Sequence, residues 1–336
     1  SCRLPKGGRH FFDQNHRQAE ASVNARSTRR RRNKKKWRMP VKKIVVALVA
    51  LLSVAGTVQA QTVKDLLETL KVKWNTPTEP FKMIGNVYYV GTDGLASYLI
   101  TSPQGHILVD TVMPEATSQI KANIEKLGFK VTDIKYLVNT HAHIDHTGGL
   151  AEMKQASGAQ MIAGEADKPL LEGGYYPGAQ EDAALAFPPV KVDRTVREGD
   201  TVSVGDVTLT ARETPGHSPG CTSWEFSVKD GDATRSVLIF CSGTVALNRL
   251  VTNPTYSGIV TDYRKTFARA KDMKVDVLLA PHPEMYRMQD KRAMLSDGAP
   301  NPFVNPGEFN AYAATLEKAF EDALAKQTAD AQEKKG

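Results

Sequence analysis

Apolar residues recur along this chain in two rhythms. Near-continuous apolar runs at 96–101 (ASYLIT), 105–110 (GHILVD) and 134–140 (IKYLVNT) predict strands, as does IGNVYYVG at 84–91. Helical spacing covers 115–128, and Leu150, Met153 and Lys154 signal a further helix after Gly148-Gly149. The second half repeats the plan. Strands at about 190–196, 201–204, 207–213, 222–228 and 235–241 precede a helix at 258–272, a strand at 275–280 and a terminal helix from 307 to about 328. Strands followed by helices, twice, predict an α/β fold of two stacked sheets with helices outside. A short amphipathic stretch, TVKDLLETLKVKW, leads in, and 172–189, with YYPG and FPP, reads as a surface loop.

The first sixty residues break both rhythms. Residues 1–38 hold RRRRNKKKWR and almost no apolar periodicity, and Met39 follows directly. From there Lys42 and Lys43 precede an apolar run from Ile44 to about Gly56 and the small-residue ending Val58-Gln59-Ala60, the three parts of a secretory signal peptide. The run is shorter than the ~20 residues of a membrane-spanning helix. The expected organisation is an over-long N-terminal extension at 1–38, a signal peptide at 39–60 cleaved after Ala60, and a single domain at 61–336, exported to the periplasm and free of the membrane once the signal is removed.

Charge changes with that division. The whole chain carries 44 basic and 37 acidic residues, a formal +7. Residues 1–60 hold 15 of the former and 2 of the latter, leaving 29 against 35, a formal −6. A nucleic-acid-binding role, which the arginine run alone would raise, therefore has no electrostatic footprint in the expected mature chain. With 41% hydrophobic residues, that chain reads as a globular enzyme acting on a small molecule, expected to be a monomer.

The chemistry concentrates at 139–149, NTHAHIDHTGG. Imidazole and carboxylate are the usual nitrogen and oxygen ligands of zinc, so His141, His143, Asp145 and His146 are either a metal site or a costly accumulation of polar groups. His141 and His143 can face one side of an extended strand end, while Asp145 and His146 follow the turn and point at a second position. His217 in TPGHSPG and His282 in APHP supply one more ligand to each. Three protein ligands per ion leave an open position, the pattern of a catalytic zinc. His106, inside GHILVD, reads as structural.

HAHIDH resembles the His-x-His-x-Asp-His signature of the metallo-β-lactamase superfamily, and the likeness extends over about 80–300 through LVDT, TPGHSPG and APHP. The resemblance implies an αββα sandwich of two mixed sheets with the active site between them. The signature is shared with glyoxalase II, lactonases, arylsulfatases and nucleases. In the di-metal glyoxalases, lactonases and nucleases a bridging aspartate follows the strand that here reads VLIFCSGTV, and the matching position is Ser242. Ser242 with His146, the stretch GTVALNRLVTNPTY and the helix TDYRKTF resemble subclass B3 of the metallo-β-lactamases. That likeness implies two Zn2+ per chain, the first on His141, His143 and His217, the second on Asp145, His146 and His282. It implies β-lactam ring opening in penicillins, cephalosporins and carbapenems by a zinc-bound hydroxide, with Asp145 and Ser242 in the catalytic machinery and Ser242 and Thr244 contacting substrate. The alternative is another hydrolase of the same fold acting on a lactone or thioester. Asp110 is expected to hydrogen-bond to a ligand loop or to cap its strand, and Tyr175, Tyr176 and Phe187 to line the cleft or cover core.

Cys221 and Cys241 lie equally far from Gly231, where the intervening segment reads as a hairpin turn. Cross-strand spacing of ~4.5–5.5 Å suits a disulfide, and an exported compartment permits one. Two buried thiols are the alternative.

Overall fold

A computed structural model describes residues 63–334, all within one unit, Gln59–Gly336. The extension and the signal peptide lie outside the described residues.

The chain opens with α1 (Val63–Trp74), which turns Leu67, Leu70 and Trp74 inward at helical spacing and leaves Leu66 and Val72 exposed. Four strands follow: β1 (Phe81–Ile84), β2 (Val87–Tyr89), β3 (Tyr98–Ser102) and β4 (Gly105–Val109). Then come α2 (Thr117–Lys126), β5 (Ile134–Val138), α3 (Ile144–Thr147), α4 (Leu150–Ser157), β6 (Gln160–Gly164), α5 (Lys168–Gly173) and β7 (Arg194–Val196). The second half consists of β8 (Thr201–Val204), β9 (Val207–Glu213), β10 (Thr222–Asp230), β11 (Ala233–Ile239), α6 (Ile259–Asp272), β12 (Val277–Leu279), α7 (Met288–Met294) and α8 (Glu308–Glu333).

Strands β1 to β7 form one sheet in sequence order, antiparallel through β4 and parallel from β4 to β7. The other sheet runs β12-β11-β10-β9-β8, with β11 and β12 parallel. Period-two alternation sorts the first sheet's side chains. Tyr98, Ile100, Ile107, Val109, Val138 and Ile162 join Leu209, Trp224, Phe226 and Ile239 of the second sheet in one core. Their neighbours Leu99, Leu108, Leu137 and Met161 face outward onto Ile120 and Ile124 of α2 and Leu150 and Met153 of α4. Strands buried on both faces need apolar residues at nearly every position, which is why they read as continuous runs. On the other side Tyr263 of α6 stacks on Phe320 of α8, and Phe267 of α6 packs tilted against the same ring. The order is helix, sheet, sheet, helix: the mixed αββα sandwich expected from the sequence. Among the described residues no helix is long and apolar enough to cross a membrane.

Several elements differ from the sequence expectation. The run at 84–91 splits into the β1–β2 hairpin at Gly85-Asn86, because Gly85 takes φ 53° and packs so close to Lys229 that a Cβ would lie 2.7 Å from its carbonyl oxygen. Strand β6 and the short α3 and α5 were not anticipated, and α8 runs on to Glu333. The loop at 172–189 is not merely a surface feature, since Tyr176, Leu185 and Phe187 are buried.

Candidate metal centre

Parallel strands end at a common edge, and the segments leaving that edge carry the site. Asp110 follows β4, residues 139–143 follow β5, and Asp167 follows β6. From the second sheet come the 214–221 turn between β9 and β10, Cys241 and Ser242 after β11, and His282 after β12. The edges are stitched directly: Thr222 N–H donates to Thr140 O at 2.8 Å, and the buried indole of Trp224 donates to Asn139 O at 3.1 Å. A tight turn follows β5, with His143 N–H donating to His141 O at 3.1 Å, and α3 then starts from the extended His143. The turn puts His141 and His143 on one side and delivers Asp145 and His146 to the next.

The structure brings the six expected ligands into two adjoining groups. Donor atoms of His141, His143 and His217 lie within 4.8 Å of one another, as do those of Asp145, His146 and His282. Ring centroids of the first three are 4.5–4.6 Å apart, and His141 is 4.5 Å from His146 of the second group. Asp145 Oδ2 lies 3.2 Å from His146 Nε2 and 3.4 Å from His282 Nε2.

Two of the rings, those of His141 and His217, are aimed by a bond on the far nitrogen. Thr140 Oγ1 donates to Asp110 Oδ2 at 2.7 Å, so it accepts from His141 Nδ1, 3.0 Å away, and leaves His141 Nε2 free. His217 Nδ1 donates to Thr244 O at 2.7 Å, a carbonyl that also accepts from Tyr263 Oη. Asn248 Nδ2 holds the His217 carbonyl at 2.9 Å. Tyr176 stacks on His143, centroids 4.2 Å apart. Trp74 of α1 sits 5.7 Å from the His282 ring. Asp110 also accepts from Thr140 N and Asn139 Nδ2, each at 2.8 Å, from a left-handed backbone position, φ 58°.

Electrostatics match this division. Burial and the neighbouring imidazoles hold His141 and His143 well below the ordinary histidine range. Burial takes His217 to about 4. Burial would raise Asp145, but His146 and His282 hold its carboxyl well below the usual range, and Asp145 raises His282 in return. The residues are thus three neutral imidazoles beside a carboxylate with two more imidazoles. The buried Nε2 atoms of His141 and His143 have no hydrogen-bond partner among the described residues. Buried polar atoms are normally satisfied, and a divalent cation is what this set lacks. The residues fit zinc.

Ser242 and Thr244 belong to neither group. Ser242 is buried, and its hydroxyl accepts from Thr244 N and lies 3.2 Å from Thr244 Oγ1. Thr244 Oγ1 is in turn 3.2 Å from His217 Nδ1, so Thr244 orients a ligand histidine as well as standing beside the site. Thr140, Asp167, Asn248 and Trp74 carry no local sequence signal of their place around the site. Cys221 and Cys241 are disulfide-bonded, Cα atoms 5.9 Å apart, at the ends of the β10–β11 hairpin. The turn is Gly231-Asp232 and Trp224 pairs with Ile239, so the register runs one residue off the symmetry expected about Gly231 and the cysteines are offset across the pair. His106 packs its ring edge-on against Phe129, away from the site.

A family model for the metallo-beta-lactamase superfamily matches residues 90–282. Among solved structures, BJP-1, a subclass B3 metallo-beta-lactamase of Bradyrhizobium japonicum, is 67% identical, the match covering 77% of this chain and 98% of that one with a TM-score of 0.76. Native FEZ-1 metallo-beta-lactamase from Legionella gormanii is 37% identical, covering 76% and 98%, with a TM-score of 0.73. Among curated proteins, the hydroxyacylglutathione hydrolase of Rhodospirillum rubrum is 33% identical over 132 residues, 39% of this chain and 41% of that protein. N-acyl homoserine lactonase AttM of Agrobacterium fabrum is 31% identical over 157 residues, 39% and 52% of the two. The chain spans about half the length, or less, of these curated relatives. The chain belongs to the metallo-beta-lactamase superfamily, as a metal-binding hydrolase whose whole-domain likenesses are with subclass B3 enzymes.

Proposed function

We propose that this protein is an exported di-zinc enzyme that opens the β-lactam ring of penicillins, cephalosporins and carbapenems. The observation that carries the reading is the pair of adjoining three-residue groups with a neutral hydroxyl, Ser242, in the segment leaving β11. That position holds the bridging aspartate in the glyoxalase and lactonase branches the chain otherwise resembles. Likeness to the two B3 enzymes over nearly their whole length, against partial matches to a thioester hydrolase and a lactonase, supports the same choice.

Zinc in these sites would supply Lewis acidity, polarising a carbonyl and lowering the pKa of water to about 7. The chain's own residues do the rest. Thr140 and the Thr244 carbonyl fix the ring planes of His141 and His217, so little reorganisation accompanies the reaction. Asp145 brings the one negative charge among the six ligands, so the pair of sites keeps a net positive field toward an anionic substrate. Ser242 and Thr244 present hydroxyls beside the site for the substrate carboxylate. Tyr176 walls the site on the side of the 174–193 loop.

Export from the signal peptide at 39–60 fits the Cys221–Cys241 disulfide, since such bonds persist in oxidising compartments. Intact mass of the exported protein is expected to correspond to a Gln61 start; a stable product retaining 44–56 would indicate an anchor. The activity test is hydrolysis of a cephalosporin and a carbapenem in the presence of clavulanate, with and without a zinc chelator. Hydrolysis that survives clavulanate and stops with the chelator supports the proposal. Chelator-insensitive hydrolysis, or none, contradicts it.

A further inference from the structure

We propose that Asp167 is a positioning residue that sets the geometry of the His141, His143 and His217 group by tying its two ligand segments together; this rests on reading that group as a metal site. Asp167 lies at the end of the single turn after β6 and is 1% exposed. Among the described residues no basic side chain forms an ion pair with it. Three donors converge on its carboxylate: Ala142 N at 2.9 Å and Ser218 Oγ at 2.7 Å on Oδ2, and Gly220 N at 2.7 Å on Oδ1. Ala142 sits between His141 and His143, and Ser218 follows His217. One carboxylate therefore clamps both segments that carry the three-histidine group. Its hydrogen bonds among the described residues do not reach Asp145, His146 or His282 directly.

The packing is built for this clamp. A Cβ on Gly220 would lie 2.3 Å from Asp167 N and 2.7 Å from its Cβ, so only glycine lets the turn lie flat on the carboxylate. A Cβ on Gly164 would lie 2.2 Å from Gly220 O, bringing the end of β6 equally close. A buried carboxylate without a cation is costly unless both oxygens are hydrogen-bonded, and here the backbone of one ligand loop and the backbone and hydroxyl of the other give it three bonds. Asparagine is not an equivalent: its NH2 must face at least one of the three donors.

The test is zinc affinity of the purified holoenzyme after stripping and reloading, measured by competition with a chromophoric chelator, together with cobalt(II) absorption spectra and thermal unfolding. Asp167→Asn is compared with wild type, and Asp145→Asn with the double variant, because the Asp145→Asn chain keeps only the three-histidine group intact. The expected result is a loss of about tenfold or more in affinity at that group in both comparisons, a changed cobalt spectrum, and unchanged affinity at the other group. Asp276→Asn is the control. Asp276 accepts from Ser236 N and Ser236 Oγ at the end of β12 away from His282, so its loss should lower the melting temperature and leave zinc affinity alone. If Asp167→Asn fails to fold, Ser218→Ala, which removes one bond of the clamp, should weaken the same group selectively. Unchanged affinity, or equal weakening of both groups, overturns the proposal. A wild-type chain that takes up no zinc overturns the metal reading beneath it instead, so the two failures are distinct.

Discussion

Thr140 Oγ1 lies 2.7 Å from Asp110 Oδ2 and 3.0 Å from His141 Nδ1, so one hydroxyl couples a buried carboxylate to a ligand histidine. Thr140→Val keeps the shape and removes the link. Asp110 Oδ2 then loses its partner in a buried site, which costs about 1–3 kcal/mol of stability, and His141 loses the bond that fixes its tautomer. Zinc affinity is expected to fall about 10–100-fold, measured by chelator competition. A valine variant with wild-type affinity would show that the coupling has no part in metal binding.

Asp145 carries the only negative charge among the six ligands and stands between His146 and His282. Asp145→Asn should chiefly empty the second site, because an amide cannot offset the cation, while the three-histidine site keeps its zinc. Elemental analysis is expected to give about one zinc per chain. Two zincs with normal turnover would refute the assignment.

Protonation sets the acid limit of the chelator-stripped protein. His141, His143 and His217 titrate below their ordinary value when folded, His217 at about 4. Such a histidine takes up its proton on unfolding, so its contribution is complete above about pH 6.5 and is lost as pH falls toward 4, on the order of 3 kcal/mol for His217. Asp110 and Asp167 act in the opposite sense. Burial lifts both to about 6, so each favours the folded state as it gains a proton in the same window and moderates the loss. The urea midpoint should drop from pH 7 to 4.5, and drop less in His217→Asn. Equal slopes in the two proteins would rule out His217 as a source.

Cys221 and Cys241 anchor the hairpin whose ends adjoin the 217 turn and Ser242. Closing a segment with a sequence separation of 20 is worth about 3 kcal/mol, so the Cys221→Ala, Cys241→Ala double variant should unfold at correspondingly lower denaturant. Thiol counting on the denatured, unreduced exported protein is expected to find none. Two free thiols would dispose of the bridge.

The six residues that gather in two groups were legible in the sequence as candidate ligands because four lie within six consecutive positions and the other two stand in rigid Pro- and Gly-flanked turns. The αββα layering was legible because strands buried on both faces leave continuous apolar runs. What could not be read is what depends on contacts between distant segments. Asp167 reaches Ala142 across 25 residues and Ser218 across 51, and nothing local distinguishes it from a surface acid in GEADKP. Thr140 reads as a strand-end residue and Thr244 as a substrate contact, and only the fold places the Nδ1 atoms of His141 and His217 beside them. Strand β6 was missed because QMIAG is short, contains two small residues and follows a helix that its flanking glycine only half announces.

In the proposed function, Ser242 is the residue on which the choice of substrate turns. With no second carboxylate between the two groups, the Asp145 side of the centre stays more positive and suits the anionic nitrogen and carboxylate of an opening β-lactam. Ser242→Ala should lower activity without abolishing it, since that hydroxyl is held by Thr244 and is no nucleophile. The most direct measurement is kcat/KM of the zinc-loaded protein on a cephalosporin, a carbapenem, S-lactoylglutathione and an acyl-homoserine lactone under one condition. The account predicts that both β-lactams turn over far faster than the thioester and the lactone. Faster turnover of either of those two than of both β-lactams would contradict it.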